Sequence, residues 1–313
     1  MSYELEFRPK TLEQIIGNPA AVAAMNAALD KPIKQRKHAY LLVGPPGTGK
    51  TTSARILAYE LGGEGEDVVE VDGADDRGIE DARAMKAQMQ QGAMFGDARV
   101  WIINESQKIT NDAQSSLLSS FEEPPDHVYL IMTTTDPSKI SAALRTRCAT
   151  INFAALNDTS IRKVLARPIA KYSLNIDAEV EDAIVDNSYG SARLALVLLD
   201  TVATLPTVQL QLDVLMPTVI ENMPAIELAR ALFPSRGAMN WNGIVKILAT
   251  LEDTPENIRN CVRGYGAKCL QSGYSKTILD TLVCFEQSMF YAKKSDVIIA
   301  CAKAFERSNG NGR

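Results

Sequence analysis

Apolar residues along this chain follow two different periods. In the first half, short β-type runs alternate with segments whose apolar positions recur at helical spacing, which is the pattern of a parallel sheet flanked by helices. The predicted strands are Ala39–Val43 ("AYLLV"), Asp67–Val71 ("DVVEV"), Arg99–Ile103 ("RVWII"), Val128–Met132 ("VYLIM") and Ala149–Phe153 ("ATINF"). Between them, "TTSARILAYEL", "GIEDARAMKAQMQQ" and "NDAQSSLLSSFEE" carry the helical spacing, and Met85, Met89 and Met94 read as core filler. Beyond Phe153 the strand signal fades, and the spacing predicts helices over 158–172, 177–188 and 191–203. Leu205-Pro206 marks a boundary, because proline and the residue before it both disfavour a helix. Further helices follow, with breaks near Pro224, Pro234 to Gly237, Pro255 and Gly273, and the terminal "SNGNGR" reads as a disordered tail. The expected division is an α/β domain over 1–155, a small helical domain over 156–204 and an all-helical domain over 205–313.

Composition narrows the class. At 313 residues and 46% apolar content the chain can bury more than one core. No stretch reaches the ~18 to 20 uninterrupted apolar residues of a membrane span. The opening "MSYELEFRPK" has neither the apolar core nor the cleavage pattern of a signal peptide, so a cytoplasmic protein without a membrane partner is expected. Five cysteines with no C-x-x-C pair and only two histidines leave almost no material for a zinc site, and the cysteines read as buried thiols. A net charge of −5 argues against a uniform coat for nucleic acid, so any DNA contact is local.

The strongest local signal is "LLVGPPGTGKTT". Gly44, Gly49, Lys50 and Thr51 stand in the G-x-x-x-x-G-K-[ST] spacing, directly after a predicted strand and directly before a predicted helix. In that context Gly44, Pro45, Pro46, Gly47, Thr48 and Gly49 form a loop whose backbone N–H groups wrap phosphates, and the helix N-terminus that follows at Lys50, Thr51 and Thr52 adds its positive end. Lys50 reaches the outer phosphates of ATP, and Thr51 offers a hydroxyl to Mg²⁺. An ordinary Gly-Pro turn is the alternative reading, and the flanking strand and helix disfavour it.

Taken together, "FRPKTLEQIIGN", "HAYLLVGPPGTGKTT", "DDRGIEDAR", "VWIINESQKITNDAQSSLLSSFEEPP", "MTTTDPSKISAALRTRC" and "YGSARLALVLLD" resemble the AAA+ clamp-loader ATPases. These comprise the replication factor C small subunits, the bacterial tau/gamma subunit and the phage clamp-loader large subunit. The resemblance covers roughly residues 5 to 203. Its most specific element is the serine-arginine-cysteine motif, read here as Thr146-Arg147-Cys148. It implies an α/β fold of the P-loop AAA+ type, a parallel sheet with helices on both faces, followed by a small helical lid and an all-helical collar that carries oligomerisation. It adds Arg8, Pro9 and Ile16 to the nucleotide-binding residues. It makes Glu105 the group that polarises the attacking water, Thr134 or Thr135 the sensor, Arg147 a finger reaching a neighbouring subunit's ATP, and Arg193 the lid arginine on this subunit's own nucleotide. It also implies partners: other loader subunits in a homo- or hetero-oligomer, expected to be pentameric, a ring-shaped sliding clamp and primer-template DNA. The compartment would be the cytoplasm, or that of a host if the source is a virus.

Residue by residue, plainer readings stand beside these roles. Thr133 to Thr135 also fit a strand end, as β-branched residues favour strands, and the choice of sensor among them stays open. Arg147 and Arg193 also fit solvated charges near helix ends. Gly78 and Ile79 open a helix and could offer backbone N–H groups to a DNA phosphate, with Arg77 beside them and Lys108, Arg83 and Lys86 as weaker companions, but an exposed helix face of mixed charge explains these residues equally well. Nothing in the sequence argues for base readout.

One position departs from the family pattern. The strand "RVWII" ends in Asn104-Glu105, where such proteins carry Asp-Glu, the Asp holding Mg²⁺ through a water. Asn keeps an oxygen acceptor and loses the charge, so metal affinity is expected to fall while the hydrolytic Glu105 is retained. The leading expectation is an active, Mg²⁺-demanding ATPase that loads a sliding clamp onto primer-template DNA. The alternatives are an ATP-binding subunit with impaired hydrolysis and another AAA+ motor, such as a Holliday-junction helicase or a protein remodeller. For a remodeller's pore loop only Met94-Phe95-Gly96 offers itself, and there a β-hairpin insertion fits as well.

Overall fold

The five predicted strands all form, each within two residues of its expected bounds: β1 (Ala39–Val43), β2 (Val68–Asp72), β3 (Arg99–Asn104), β4 (Val128–Thr134) and β5 (Ala149–Asn152). They pair in parallel as one sheet in the order β2-β3-β4-β1-β5. The computed structural model describes residues 2–75, 78–215, 223–233, 239–251, 255–273, 275–287, 289 and 292–310. The helices of the first part are α1 (Tyr3–Glu6), α2 (Pro19–Leu29), α3 (Lys50–Glu60), α4 (Ile79–Gln88), α5 (Asn111–Glu122), α6 (Ala142–Arg147), α7 (Asp158–Tyr172), α8 (Ala178–Ser188), α9 (Ala192–Val202) and α10 (Val208–Leu215).

Alternation along the strands decides which helix covers which face. Tyr40, Leu42, Val100, Ile102, Tyr129, Ile131 and Ile151 point one way, into a core completed by α2 and α3. Leu41, Val43, Trp101, Ile103, Leu130 and Met132 point the other way, against α4, α5 and α6. Burial on both faces explains why these strands read as continuous apolar runs, and each large side chain removed from water contributes roughly 1.5 to 3 kcal/mol. Helix α2 was not foreshadowed by periodicity, because "PAAVAAMNAAL" is apolar nearly all round; Pro19 at its first turn marks its start.

Helices α7 to α10 gather a separate core around Leu165, Val180, Ile184, Leu199 and Leu215, with Tyr3, Phe7 and Ile16 of the N-terminal segment packed against it. The chain does break at Leu205-Pro206, but Leu205, Val208, Leu212 and Leu215 return to that same core. The first compact unit therefore runs from Met1 to Leu215, and the expected boundary at 205 is a turn within it.

The second unit, Met216 to Arg313, is helical: α11 (Met223–Leu232), α12 (Trp241–Thr250), α13 (Pro255–Ser272), α14 (Lys276–Val283) and α15 (Lys294–Gly310). Its core includes Leu228, Leu232, Ile244, Leu248, Val262, Phe285 and Val297. Pro224 and Pro255 sit in the first turns of α11 and α13, where a missing N–H is harmless, and Gly273 follows α13. Pro234 to Gly237 lie outside the described residues. The tail expected to be disordered from Ser308 is helical as far as Gly310, and 311–313 lie outside the described residues.

Two further expectations need correction. Met85 and Met89 are core residues, but Met94 is 80% exposed with Phe95 beside it. No hairpin forms there: the buried Asp67 carboxylate accepts N–H bonds from Met94, Phe95 and Gly96 at 2.6 to 3.0 Å and holds an irregular loop whose apolar side chains face solvent. Of the cysteines only Cys301 is fully buried, the others being half-buried; burial pushes the Cys148 and Cys301 thiols up to about 12, which leaves them unreactive. No helix of the described residues is long and apolar enough to cross a membrane.

Candidate nucleotide site

Between the end of β1 and the start of α3 the backbone must turn sharply, and glycine permits it. Gly47 and Gly49 have φ of +72° and +96°, and a Cβ on Gly47 would lie 1.9 Å from Ser191 Oγ. The turn delivers the N-terminus of α3, and with it a positive dipole end, to the wall of a cleft of about 300 Å³. Thr48 Oγ1 donates to Pro45 O at 2.8 Å. Lys50 is buried, and its Nζ donates to Gly44 O and Pro45 O at 2.8 Å each. Burial pulls its pKa down to about 8, with the nearby Glu105 charge acting in the opposite sense.

The cleft brings together residues far apart in sequence. Arg8, Pro9, Ile16, Pro46, Gly47, Thr48, Gly49, Lys50, Thr51, Thr52, Glu105 and Arg193 all line it. Gly44 and Pro45 take part through the carbonyls that hold Lys50. Burial and the neighbouring Arg55 and Arg193 charges lower the Arg8 pKa, so positive charge is crowded here in a way that suits a polyanion. Arg193 Nε donates to Glu4 Oε2 at 2.8 Å across the cleft's helical side.

One layer behind the lining lies a polar network that the strand ends build. Asn104 Oδ1 accepts from Thr51 Oγ1 at 2.9 Å and from Thr133 Oγ1 at 3.0 Å, and Asn104 Nδ2 donates to Glu70 Oε1 at 2.5 Å. Glu70 in turn accepts both Nε and Nη2 of Arg55, at 2.7 and 2.8 Å. Glu105 follows at a left-handed φ of 48°, a conformation a non-glycine residue holds only when its surroundings enforce it. Its Oε2 accepts from Gln107 Nε2 at 2.6 Å, while Gln107 Oε1 accepts from Thr134 Oγ1 and the Thr135 N–H. Of the three threonines, Thr133 thus serves Asn104, while Thr134 and Thr135 serve Gln107. The Thr51 hydroxyl and the Asn104 amide oxygen are hard oxygen donors that fit a Mg²⁺ ion sharing its shell with phosphates and water.

The other candidates lie elsewhere. Arg147, at the end of α6, is not among the residues lining the cleft; its Nη2 donates to Glu122 Oε1 at 2.8 Å. Gly78 caps α4, but its N–H already donates to Asp81 Oδ2 at 3.0 Å, so an incoming phosphate would compete with a carboxylate. Ile79 and Lys108 are exposed, and Arg77 lies outside the described residues. The site also contains residues that the sequence did not point to, among them Glu4, Arg55, Glu70 and Gln107. Thr51 and Arg55 are four apart on one helix, and Glu70 is the lone charge inside "VVEV", so Arg55 and Glu70 carried a faint signal.

With this geometry in view, similarity to known proteins becomes informative. The family described as "DNA polymerase III, delta subunit" matches residues 64–157. The DNA polymerase III subunit gamma/tau of Mycobacterium tuberculosis is 30% identical over 64% of this chain and 38% of its own length. The DNA polymerase III subunit tau/gamma of Haemophilus influenzae is 25% identical over 83% of this chain and 41% of its own length. A replication factor C small subunit of Methanococcus maripaludis is 32% identical over 63% of each chain. The chain thus spans well under half the length of the bacterial relatives it matches. Among solved structures, the Thermotoga maritima RuvB Holliday junction branch migration motor superposes with a TM-score of 0.60 at 22% identity, covering 86% of this chain and 92% of that one. The fold is therefore one that this motor shares, and the resemblance to the AAA+ clamp-loader family that the motifs carried holds.

Proposed function

We propose that this protein is a Mg²⁺-dependent AAA+ ATPase that works in the cytoplasm as a clamp-loader subunit, using ATP to place a ring-shaped sliding clamp on primer-template DNA. The observation that carries the reading is the cleft in which Lys50, Glu105 and Arg193 converge while Arg147 stands outside it. Phosphoryl transfer needs positioned water and positive charge on the transferring group more than covalent help, and these residues supply both. In the bound state Lys50 would exchange the Gly44 and Pro45 carbonyls for phosphate oxygens, Thr51 and Asn104 would hold Mg²⁺, and Glu105 would orient the attacking water. Arg193, with helices α7 to α10 as a lid, would close on the phosphates. Arg147 would act on the ATP of a neighbouring subunit, and the second helical unit would serve oligomerisation as a collar. The names of the relatives, which are replication subunits, support this reading over the branch-migration motor, whose similarity extends to the fold alone.

The test is ATP turnover by the assembled loader with and without primed DNA and clamp. Turnover stimulated by both is expected; turnover indifferent to both would overturn the loader assignment. Within the assembly, Arg147→Ala should bind ATP normally and lose hydrolysis by ~10³-fold or more, the size attributed to arginine fingers. Mixing it with Lys50→Ala should restore some active interfaces. One second reading has a specific observation behind it: Asn104 in place of a carboxylate favours an ATP-binding subunit with impaired hydrolysis. An assembly that binds ATP and shows no turnover at any Mg²⁺ concentration would favour it.

A further inference from the structure

A net charge of −5 makes any contact with a polyanion local, and positive charge gathers in the residues that lead into β1. The segment "KPIKQRKH", bounded by Asp30, holds Lys31, Lys34, Arg36 and Lys37 with no carboxylate among them; no other eight consecutive residues of the chain hold four Lys or Arg without an acid. It is a built turn rather than a loose loop. Ile33–Gln35 form one 3₁₀ turn, Arg36 Nη2 donates to Leu29 O at 2.7 Å at the end of α2, and Arg36 Nε donates to Lys31 O at 3.0 Å. At the strand end the His38 ring stacks on that of Tyr129 at 4.8 Å, with Nδ1 2.7 Å from Val128 O. Arg36 is therefore scaffolding. Lys31, Lys34 and Lys37, three residues apart, are exposed, and none of their ammonium groups has a partner among the described residues. The turn stands at the N-terminal end of β1 and the glycine loop at its C-terminal end, so a five-residue strand, roughly 16 Å long, separates it from the nucleotide cleft.

We propose that this turn is a sequence-independent site for the phosphate backbone of duplex DNA, in which Lys31, Lys34 and Lys37 each meet a phosphate. Like charges held together by a fixed backbone repel one another in the free protein, and a row of phosphates relieves that repulsion. A lysine ammonium is a compact point charge that demands no particular geometry, which suits backbone contact and not base readout. A protein partner is served less well. Ile33 is 69% exposed, but the segment has no Trp or Tyr and its one arginine is engaged, and those are the residues that anchor protein interfaces. That the polyanion is DNA rests on the function proposed above; the basic turn does not depend on the reading of the cleft.

The experiment measures, by fluorescence anisotropy, binding of the full chain to two labelled DNA duplexes of unrelated sequence between about 50 and 200 mM salt. The triple variant Lys31→Gln/Lys34→Gln/Lys37→Gln should bind about a hundredfold more weakly at ~0.1 M salt, and the slope of log K against log salt should flatten by roughly 2.7, about 0.9 per phosphate contact, on both duplexes alike. Lys31→Arg/Lys34→Arg/Lys37→Arg should keep affinity and slope. Melting temperature and affinity for the fluorescent nucleotide mant-ADP should match wild type in both variants, since only exposed, unpaired side chains at the far end of β1 are exchanged. Unchanged DNA affinity and slope in the Gln variant overturn the proposal and leave the loader function standing; if that variant loses binding to poly-L-glutamate instead, the turn serves an acidic protein. A wild type that binds neither duplex at the lowest salt overturns the DNA reading on which the choice of polyanion rests.

Discussion

The cleft has two walls of different character. On the sheet side, Lys50, Asn104, Thr133 and Thr134 are buried; Lys50, Asn104 and Thr134 each have two or more partners, and Thr133 donates to Asn104. On the helical side, Arg193 is 68% exposed and is held by the single carboxylate of Glu4. A buried polar group left without its partner costs about 1 to 3 kcal/mol, whereas an exposed ion pair contributes about 0 to 1 kcal/mol. The sheet wall is therefore preorganised and intolerant of change. The helical wall can trade one anion for another at little expense.

Lys50→Ala should break this contrast most severely. Removing the buried partner of a charged group costs about 2 to 5 kcal/mol, so mant-ADP affinity should fall at least ~30-fold while circular dichroism shows an intact fold. Unchanged affinity would mean the phosphates bind elsewhere.

The same lysine gives the sheet wall a pH signature. Its folded pKa of about 8 lies below the ordinary 10.5. Between those values the unfolded chain holds more protons, so this group's contribution to the stability of the nucleotide-free protein rises with pH across that window, and its penalty is fully present below it. Nucleotide affinity should move the opposite way. Phosphates favour the protonated amine, and between pH 7 and pH 9 the charged fraction of the free site falls roughly tenfold. Binding in EDTA that is flat over this range would contradict the assignment.

Gln107→Ala comes next. It frees Glu105 and strips Thr134 and the Thr135 N–H of their shared acceptor, so turnover by the assembly should drop about tenfold, while nucleotide affinity stays within about twofold. An equal loss in both would show that Gln107 supports the fold rather than the water-orienting carboxylate.

Glu4→Gln, on the helical wall, should do least. The melting temperature should shift by no more than the few degrees that under ~1 kcal/mol allows, and mant-ADP affinity should improve by at most about threefold as Arg193 is released. A large loss of stability would place Glu4 with the buried groups and erase the distinction between the walls.

These walls were unequally visible in the amino-acid order. Periods of two and 3.6 residues, the glycine spacing after "YLLV" and the caps of α5, α7 and α9 are local properties, each decided by neighbours within one turn or one strand. They were enough for all five strands and for the glycine loop that carries Lys50 and Thr51, whereas Glu105 was singled out by the motif resemblance. Sheet order is not local. Only the placement of β2 beside β3 brings Glu70 to Asn104, and only the return of Leu212 and Leu215 to the core of α7 to α9 carries the first unit past Pro206. The same holds for Met94, which local pattern assigned to the core and which the distant Asp67 carboxylate turns outward. A hydrogen bond between side chains on different strands depends on which strands became neighbours. That choice was made by the packing of both sheet faces at once, so the chain alone determined the glycine loop after β1 and the elements around it, and the tertiary structure decided where the charge beside Asn104 stands.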